Sequence, residues 1–494
     1  MNQWKWEIEN QEYLDKTVKR CKKQDILLPT FEQLKKPEKL PDDLLSDLKK
    51  VDLQATNPLN LFRINWRNDP VTGGIGPINY IEIPHEITGV KARIIGLVGK
   101  FFPTGAHKVG ATFGCLAPYM VSGRINPEYH KAVWPSTGNY CRGGVFNSNL
   151  LDVHSVAILP EEMSQERFDW LKERTDEVFA TPGCESNVKE IYDKCHELRA
   201  QSDQYIILNQ FSEFGNSIWH YEITGYTIEK VFNEIKKKGL RFSGFASATG
   251  SAGTIAAGDY LRTKFPNIKV LGAEALQCPT FLLNGFGGHR IEGIGDKHIP
   301  WIHNIKNMDL ITAIDDEDTM RLLRLFNEEQ GHEFLLNLGV SKDVIARLPY
   351  LGISSIANLI SSIKMARYFE YNENDVIFTI FTDSAQMYLS RLKEMNEARG
   401  AYTESQARLD WEVCLINQSI DYLKELTYMD KKQIHNLKYF TWIEQQGKTV
   451  EELNAQWYNE NYWLERFAIV PLWDKLIKEF NDKTSLSKKY SFSE

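Results

Sequence analysis

Between residues 90 and 381 the chain alternates short runs rich in β-branched and aromatic residues with stretches of helical length. No other feature constrains the fold so strongly, because parallel sheets covered by helices satisfy such an alternation better than a segregated arrangement does. Strands are predicted over 93–98, 132–135, 155–159, 205–209, 244–248, 269–273 and 376–381. Helices are predicted over 109–120, 161–175, 186–201, 217–238 and 254–264. In sheets of this kind ligands gather at the carboxyl ends of the strands. The loops that follow strands are therefore where functional residues are sought.

Outside that region the pattern changes. Residues 1–55 are polar, lysine-rich and helical in pattern, and they close on the turn signal Thr56-Asn57-Pro58-Leu59. A Gly/Pro-rich surface loop follows at 69–77. Residues 401–494 are helical and carry Trp411, Trp442, Trp457, Trp463 and Trp473, a packing appendage or a dimer surface, with a frayed polar tail from 482 onward.

The length of 494 residues leaves room for two or more domains. A formal charge of −8 argues against a nucleic-acid binder. No apolar run is long enough to span a bilayer, and the N-terminus lacks the apolar core of a secretory signal. The seven cysteines are scattered without a Cys-x-x-Cys pair, and His298 and His303 read as turn or surface residues, so neither a disulfide framework nor a metal site is expected. The expectation is a cytoplasmic protein of a reducing compartment that meets neither nucleic acid nor membrane.

Three loops carry candidate chemistry. After the strand 93–98 comes a tight Pro103-Thr104-Gly105 turn, then Ala106-His107-Lys108 and an apolar helix. A helix start disfavours a cation, and a lysine that yields its proton there is a candidate Schiff-base former; a solvated turn lysine is the plainer alternative. After 132–135 comes Ser136-Thr137-Gly138-Asn139-Tyr140-Cys141. Its hydroxyls, amide and backbone donors suit a carboxylate, or simply cap a helix. After 244–248 comes Thr249-Gly250-Ser251-Ala252-Gly253-Thr254, tiny residues ahead of a helix whose dipole favours a phosphate. The spacing is not that of a nucleotide P-loop, and packing alone explains many such turns. Arg142, Glu292 and Asp296 read as structural or solvated.

In this order the motifs resemble the fold-type II pyridoxal-phosphate enzymes, the superfamily of cysteine synthase, cystathionine β-synthase, threonine synthase and the tryptophan synthase β chain. Gly105-Ala106-His107-Lys108 is similar to the tryptophan synthase β version of the lysine motif. Ser136-Thr137-Gly138-Asn139 resembles Thr-Ser-Gly-Asn, and Gly250-Ser251-Ala252-Gly253-Thr254 resembles Gly-Thr-Gly-Gly-Thr. His289-Arg290-Ile291-Glu292-Gly293-Ile294-Gly295 resembles His-Lys-Ile-Gln-Gly-Ile-Gly. Gly352-Ile353-Ser354-Ser355 and the pair Thr382-Asp383-Ser384 and Tyr388-Leu389-Ser390 complete the set. The likeness covers roughly residues 55–395.

The resemblance implies an α/β, two-domain fold that is tryptophan synthase β-like, with parallel-rich sheets flanked by helices and a helical C-terminal extension. The large cofactor domain would comprise 56–109 and 206–400 and the small one 110–205, with extensions at 1–55 and 401–494. It implies pyridoxal 5′-phosphate, with Lys108 as its covalent anchor and the Cα base. Asn139 would meet the cofactor's 3′ oxygen, and Gly250, Ser251, Ala252, Gly253 and Thr254 its phosphate. Ser354 would face the pyridine nitrogen. Ser136, Thr137, Gly138 and Tyr140 would face the substrate.

The implied reaction is β-elimination or β-replacement on a small L-amino acid, in a homodimer with room for a second subunit. A PLP-dependent ammonia lyase or thiolase-like subunit is the alternative enzyme. A non-catalytic regulatory subunit and an unrelated phosphate binder are the alternatives of other classes. Two departures stand out. Tyr140 and Cys141 replace a smaller Thr-Gly pair, which implies another substrate or a nucleophile other than sulfide. Ala252 replaces a glycine, which alanine tolerates only at negative φ.

Overall fold

The computed structural model describes residues 6–492 apart from Thr137, Glu185 and Asp296. Two sheets organise it. The larger has seven described strands in the order β1-β2-β10-β7-β8-β9-β11. They are β1 (Tyr80–Ile83), β2 (Arg93–Val98), β7 (Arg241–Ala248), β8 (Lys269–Ala275), β9 (Leu310–Ile314), β10 (Asp375–Phe381) and β11 (Leu423–Glu425). The five inner strands are parallel, and β1 and β11 close the edges antiparallel. The smaller sheet is parallel throughout, in the order β5-β4-β3-β6. Its strands are β3 (Lys131–Pro135), β4 (His154–Pro160), β5 (Glu177–Thr181) and β6 (Tyr205–Ile207).

The inner strands are apolar on both faces because helices cover both. In β10 every residue is buried, with Val376, Ile377, Phe378, Ile380 and Phe381 fully enclosed. The helix predicted over 217–238 runs from Phe214 to Ile235 with a π segment at His220–Gly225.

The two terminal extensions pack on each other and on the core. Asp474 accepts from the backbone N of Phe31 at 2.6 Å and of Glu32 at 3.1 Å, capping the start of the helix Phe31–Lys35. Asn481 exchanges two hydrogen bonds with Leu28, at 3.1 and 2.8 Å. Lys438 is wholly buried, and its ammonium donates to Trp301 O, His303 O and the Gln456 amide oxygen at 3.0, 2.7 and 2.6 Å. Burial pushes its pKa well below the ordinary value. Three acceptors for three protons let this lysine stay buried although no carboxylate among the described residues forms an ion pair with it.

Trp442, Trp457, Trp463 and Trp473 are buried, and the Trp411 indole donates to Glu86 O at 3.0 Å, so the tryptophans pack the extension. As far as the described residues reach, the tail expected to fray is packed: the helix Val470–Thr484 continues through 482, and Tyr490 packs with Leu27, Leu44 and Phe62. His298 and His303, expected at the surface, are buried as well, and His298 Nε2 meets Tyr192 Oη at 3.0 Å. No single helix among the described residues is long and apolar enough to cross a membrane.

Candidate active site

Five strands of the two sheets end around one cavity. Its walls are His107, Lys108, Ser136, Asn139, Tyr140, Gln210, Phe211, Gly250, Ser251, Gly293, Ser354 and Thr382. Chain leaves β2 through two successive left-handed residues, Thr104 at φ 69° and Gly105 at φ 75°, and re-enters a helix at Lys108. The Lys108 ammonium donates to Ser251 Oγ at 2.8 Å, and Asn216 Nδ2 donates to the same oxygen at 3.0 Å. An amine on the β2 side is thus held by a hydroxyl on the loop after β7.

That loop opens the helical run Thr254–Ala256 and Ala257–Lys264. A Cβ at Gly253 would lie 1.9 Å from Asn216 Oδ1, so only glycine fits there. Thr254 Oγ1 is hydrogen-bonded to His107 Nε2 at 3.0 Å. Burial, and then the neighbouring Lys108, push the His107 imidazole down to about 3, which leaves it neutral beside the amine. Ala252 corrects the sequence expectation: its φ is 59°, in the left-handed region. That conformation costs an alanine about 1–2 kcal/mol, against about 0.8 kcal/mol from its buried methyl. Ala252→Gly is therefore expected to stabilise the protein by roughly 0.5 kcal/mol, read as a higher denaturant midpoint. A lower midpoint would mean that the methyl's packing wins.

The loop after β3 lies opposite. Ser136 Oγ accepts from Gly138 N at 3.0 Å, and a Cβ at Gly138 would lie 2.1 Å from Arg167 Nη1. Asn139 starts the helix Asn139–Leu150; its Nδ2 donates to Asp383 Oδ2 at 2.6 Å, while its Oδ1 is buried without a partner. Tyr140 lines the cavity, and its hydroxyl donates to Leu208 O at 3.1 Å. Ser354, in the first turn of the helix Ile353–Tyr368, meets Thr382 Oγ1 at 2.7 Å.

Seven of the residues singled out in the sequence therefore share the cavity wall: Lys108, Ser136, Asn139, Tyr140, Gly250, Ser251 and Ser354. Gly138, Ala252, Gly253 and Thr254 shape the loops behind it. Thr137 and Asp296 lie outside the described residues. Arg142 and Glu292 are buried rather than solvated. Gln210 and Phe211 were missed; their signal was position alone, directly after a strand.

The residues fit pyridoxal phosphate. A cavity-facing amine suits its aldehyde, and the small-residue loop at a helix start suits its phosphate. Asn139 Oδ1 and His107 Nδ1, both on wall residues, are buried polar atoms without partners, as expected where a polar ligand completes the set.

Comparison with known proteins agrees. The family described as pyridoxal-phosphate dependent enzyme matches residues 71–333. A cysteine synthase of Staphylococcus aureus is 28% identical over 323 residues, covering 65% of this chain and 96% of that protein. The cystathionine beta-synthase of Saccharomyces cerevisiae is 24% identical, covering 64% of this chain and 61% of its own length. Among solved structures, O-acetyl serine sulfhydrylase isoform 3 of Entamoeba histolytica superposes with a TM-score of 0.56 at 22% identity, covering 69% of this chain and 94% of that one. The fold is therefore the two-domain fold of the type II enzymes. The chain belongs to the pyridoxal-phosphate dependent enzymes, and pyridoxal 5′-phosphate is its cofactor.

Proposed function

We propose that the chain catalyses β-replacement on a small L-amino acid carrying a leaving group on Cβ, with O-acetylserine as the first donor to test. The observation that carries this reading is the Lys108 ammonium held at 2.8 Å by Ser251, across the cavity wall shared with Ser136 and Asn139. Relatives named cysteine synthase and cystathionine beta-synthase support the reaction class. We assign 110–205 to the small domain and 56–109 with 206–400 to the large one, because nearly all of the smaller sheet falls in the first range. A cytoplasmic homodimer is part of the same proposal.

Bound at Lys108, pyridoxal phosphate supplies an electron sink that lets bonds at Cα and Cβ break. The Lys108 amine takes the Cα proton, and Ser251 Oγ holds that amine in place between proton transfers. Ser136 and the backbone of its loop hold the substrate carboxylate. A Ser354 hydroxyl facing the ring nitrogen would not, unlike a carboxylate, force a proton onto it, which would keep the sink moderate and favour loss of a Cβ substituent over long-lived carbanion chemistry. The neutral His107 ring sets no second positive charge beside the amine. Acetate leaves from Cβ as the anion, the nucleophile's sulfur bonds there as hydrosulfide or thiolate, and Lys108 returns its proton to Cα, so atoms, charge and protons balance.

The test is the purified holoenzyme with O-acetylserine and sulfide, assayed for equimolar acetate and cysteine. Keto acid and ammonia without sulfur transfer would make the chain a lyase. No product from O-acetylserine, serine, cysteine or threonine would sink the reading.

A further inference from the structure

Asp383 is fully buried beside the cavity, and none of the roles above uses it. Its Oδ2 accepts from Asn139 Nδ2 at 2.6 Å and from Tyr388 Oη at 2.6 Å. Its Oδ1 accepts from Thr382 Oγ1 at 3.4 Å, and Thr382 Oγ1 also meets Ser354 Oγ at 2.7 Å. The main chain is committed as well, since Gly352 N donates to Asp383 O at 3.0 Å. A Cβ on Gly352 would fall 2.0 Å from Oδ1, so the carboxylate lies against the start of the helix Ile353–Tyr368. The dipole there favours an anion.

Behind Tyr388 lies a buried ion-pair network. Arg167 Nη2 donates to Tyr388 Oη at 3.1 Å, Arg167 Nη1 pairs with Glu292 at 2.9 Å, and Glu292 pairs with Arg391 at 2.8 Å. Arg167, Tyr388 and Glu292 are all buried. Burial holds the Asp383 carboxyl above its ordinary value, and Tyr388, Arg167 and Asn139 pull it only part of the way back.

An amide offers a donor on one side and an acceptor on the other. Asp383 Oδ2 takes the Asn139 nitrogen, and the Asn139 oxygen is left buried without a partner. The same carboxylate reaches Ser354 through one hydroxyl. We infer that Asp383 is a positioning residue that fixes the Asn139 amide toward the cofactor ring and links it, through Thr382, to the Ser354 hydroxyl. The inference rests on the reading that Asn139 and Ser354 face the ring. The plainer role for the contact is structural: Asn139 follows a strand of the smaller sheet and Asp383 a strand of the larger, so the bond also ties the two together.

Absorbance of the bound cofactor across a pH titration separates the two roles. Asp383→Asn keeps the shape and removes the charge. It is expected to move the cofactor's spectral transition by about one pH unit and to weaken cofactor binding about tenfold. Asn139→Ala is expected to change the spectrum in its own right, and the double variant to fall short of the sum of the two single changes, because Asp383 acts partly through Asn139. Tyr388→Phe keeps the carboxylate and should shift the transition in the same sense by less, which covers the case where Asp383→Asn fails to fold.

A wild-type spectrum in Asp383→Asn or Tyr388→Phe, with only a lower melting midpoint, would overturn the inference and leave the site reading intact while Asn139→Ala still changes the spectrum. A wild-type spectrum in Asn139→Ala would overturn the site reading and the inference together.

Discussion

Lys108→Ala is expected to lower kcat by about a thousandfold or more, roughly 4 kcal/mol of barrier. Proton transfer at Cα is lost, and the amine that anchors the cofactor is lost with it. Steady-state rates on the donor identified above measure the effect. Lys108→Arg should do as poorly, since a guanidinium neither gives up its proton nor forms the covalent link. The helix Lys108–Val121 is apolar from its first turn, so the alanine variant should fold normally. Retention of more than a tenth of the wild-type rate would remove Lys108 from the mechanism.

Arg167→Met should have the largest effect on stability. The Arg167 side chain is 0% exposed and its partner Glu292 2%, whereas Arg391, the other partner of Glu292, is 24% exposed. Removing Arg167 breaks the fully buried pair and leaves Glu292 with only the wetter Arg391, which costs about 3 kcal/mol, the low end for a broken buried pair. Arg391→Met leaves Glu292 with its better-buried partner and exchanges a wetter contact, so about 1 kcal/mol is expected. Denaturant midpoints compare the two directly. Equal losses, or less than about 1 kcal/mol for Arg167→Met, would contradict the account of this network. The expectation carries over to the site, because Arg167 packs where a side chain on Gly138 would stand.

Four of the five inner strands of the larger sheet were legible because a strand buried on both faces is apolar throughout, and β2 was bounded to the residue. Strands β1, β5, β9 and β11 were not. β5 is a half-exposed edge, and β11 is Leu-Lys-Glu, a strand only because it pairs with β9. Such edges take their conformation from a neighbour rather than from their own pattern.

The site divides the same way. Lys108, Asn139 and the loop Gly250–Thr254 could be read from small residues placed after strands. The linkage from Arg167 through Tyr388 and Asp383 to Asn139 joins residues far apart in the chain, and each looks ordinary locally. Ala252 shows the limit most sharply: a positive φ at an alanine is imposed by the packed loop around it, and its own side chain argues against it.

The most direct measurement reduces the holoenzyme with borohydride and maps the pyridoxyl adduct by peptide mass spectrometry. The account predicts one modified peptide, with the adduct on Lys108. An adduct on another lysine, or none in protein that has taken up the cofactor, would contradict it.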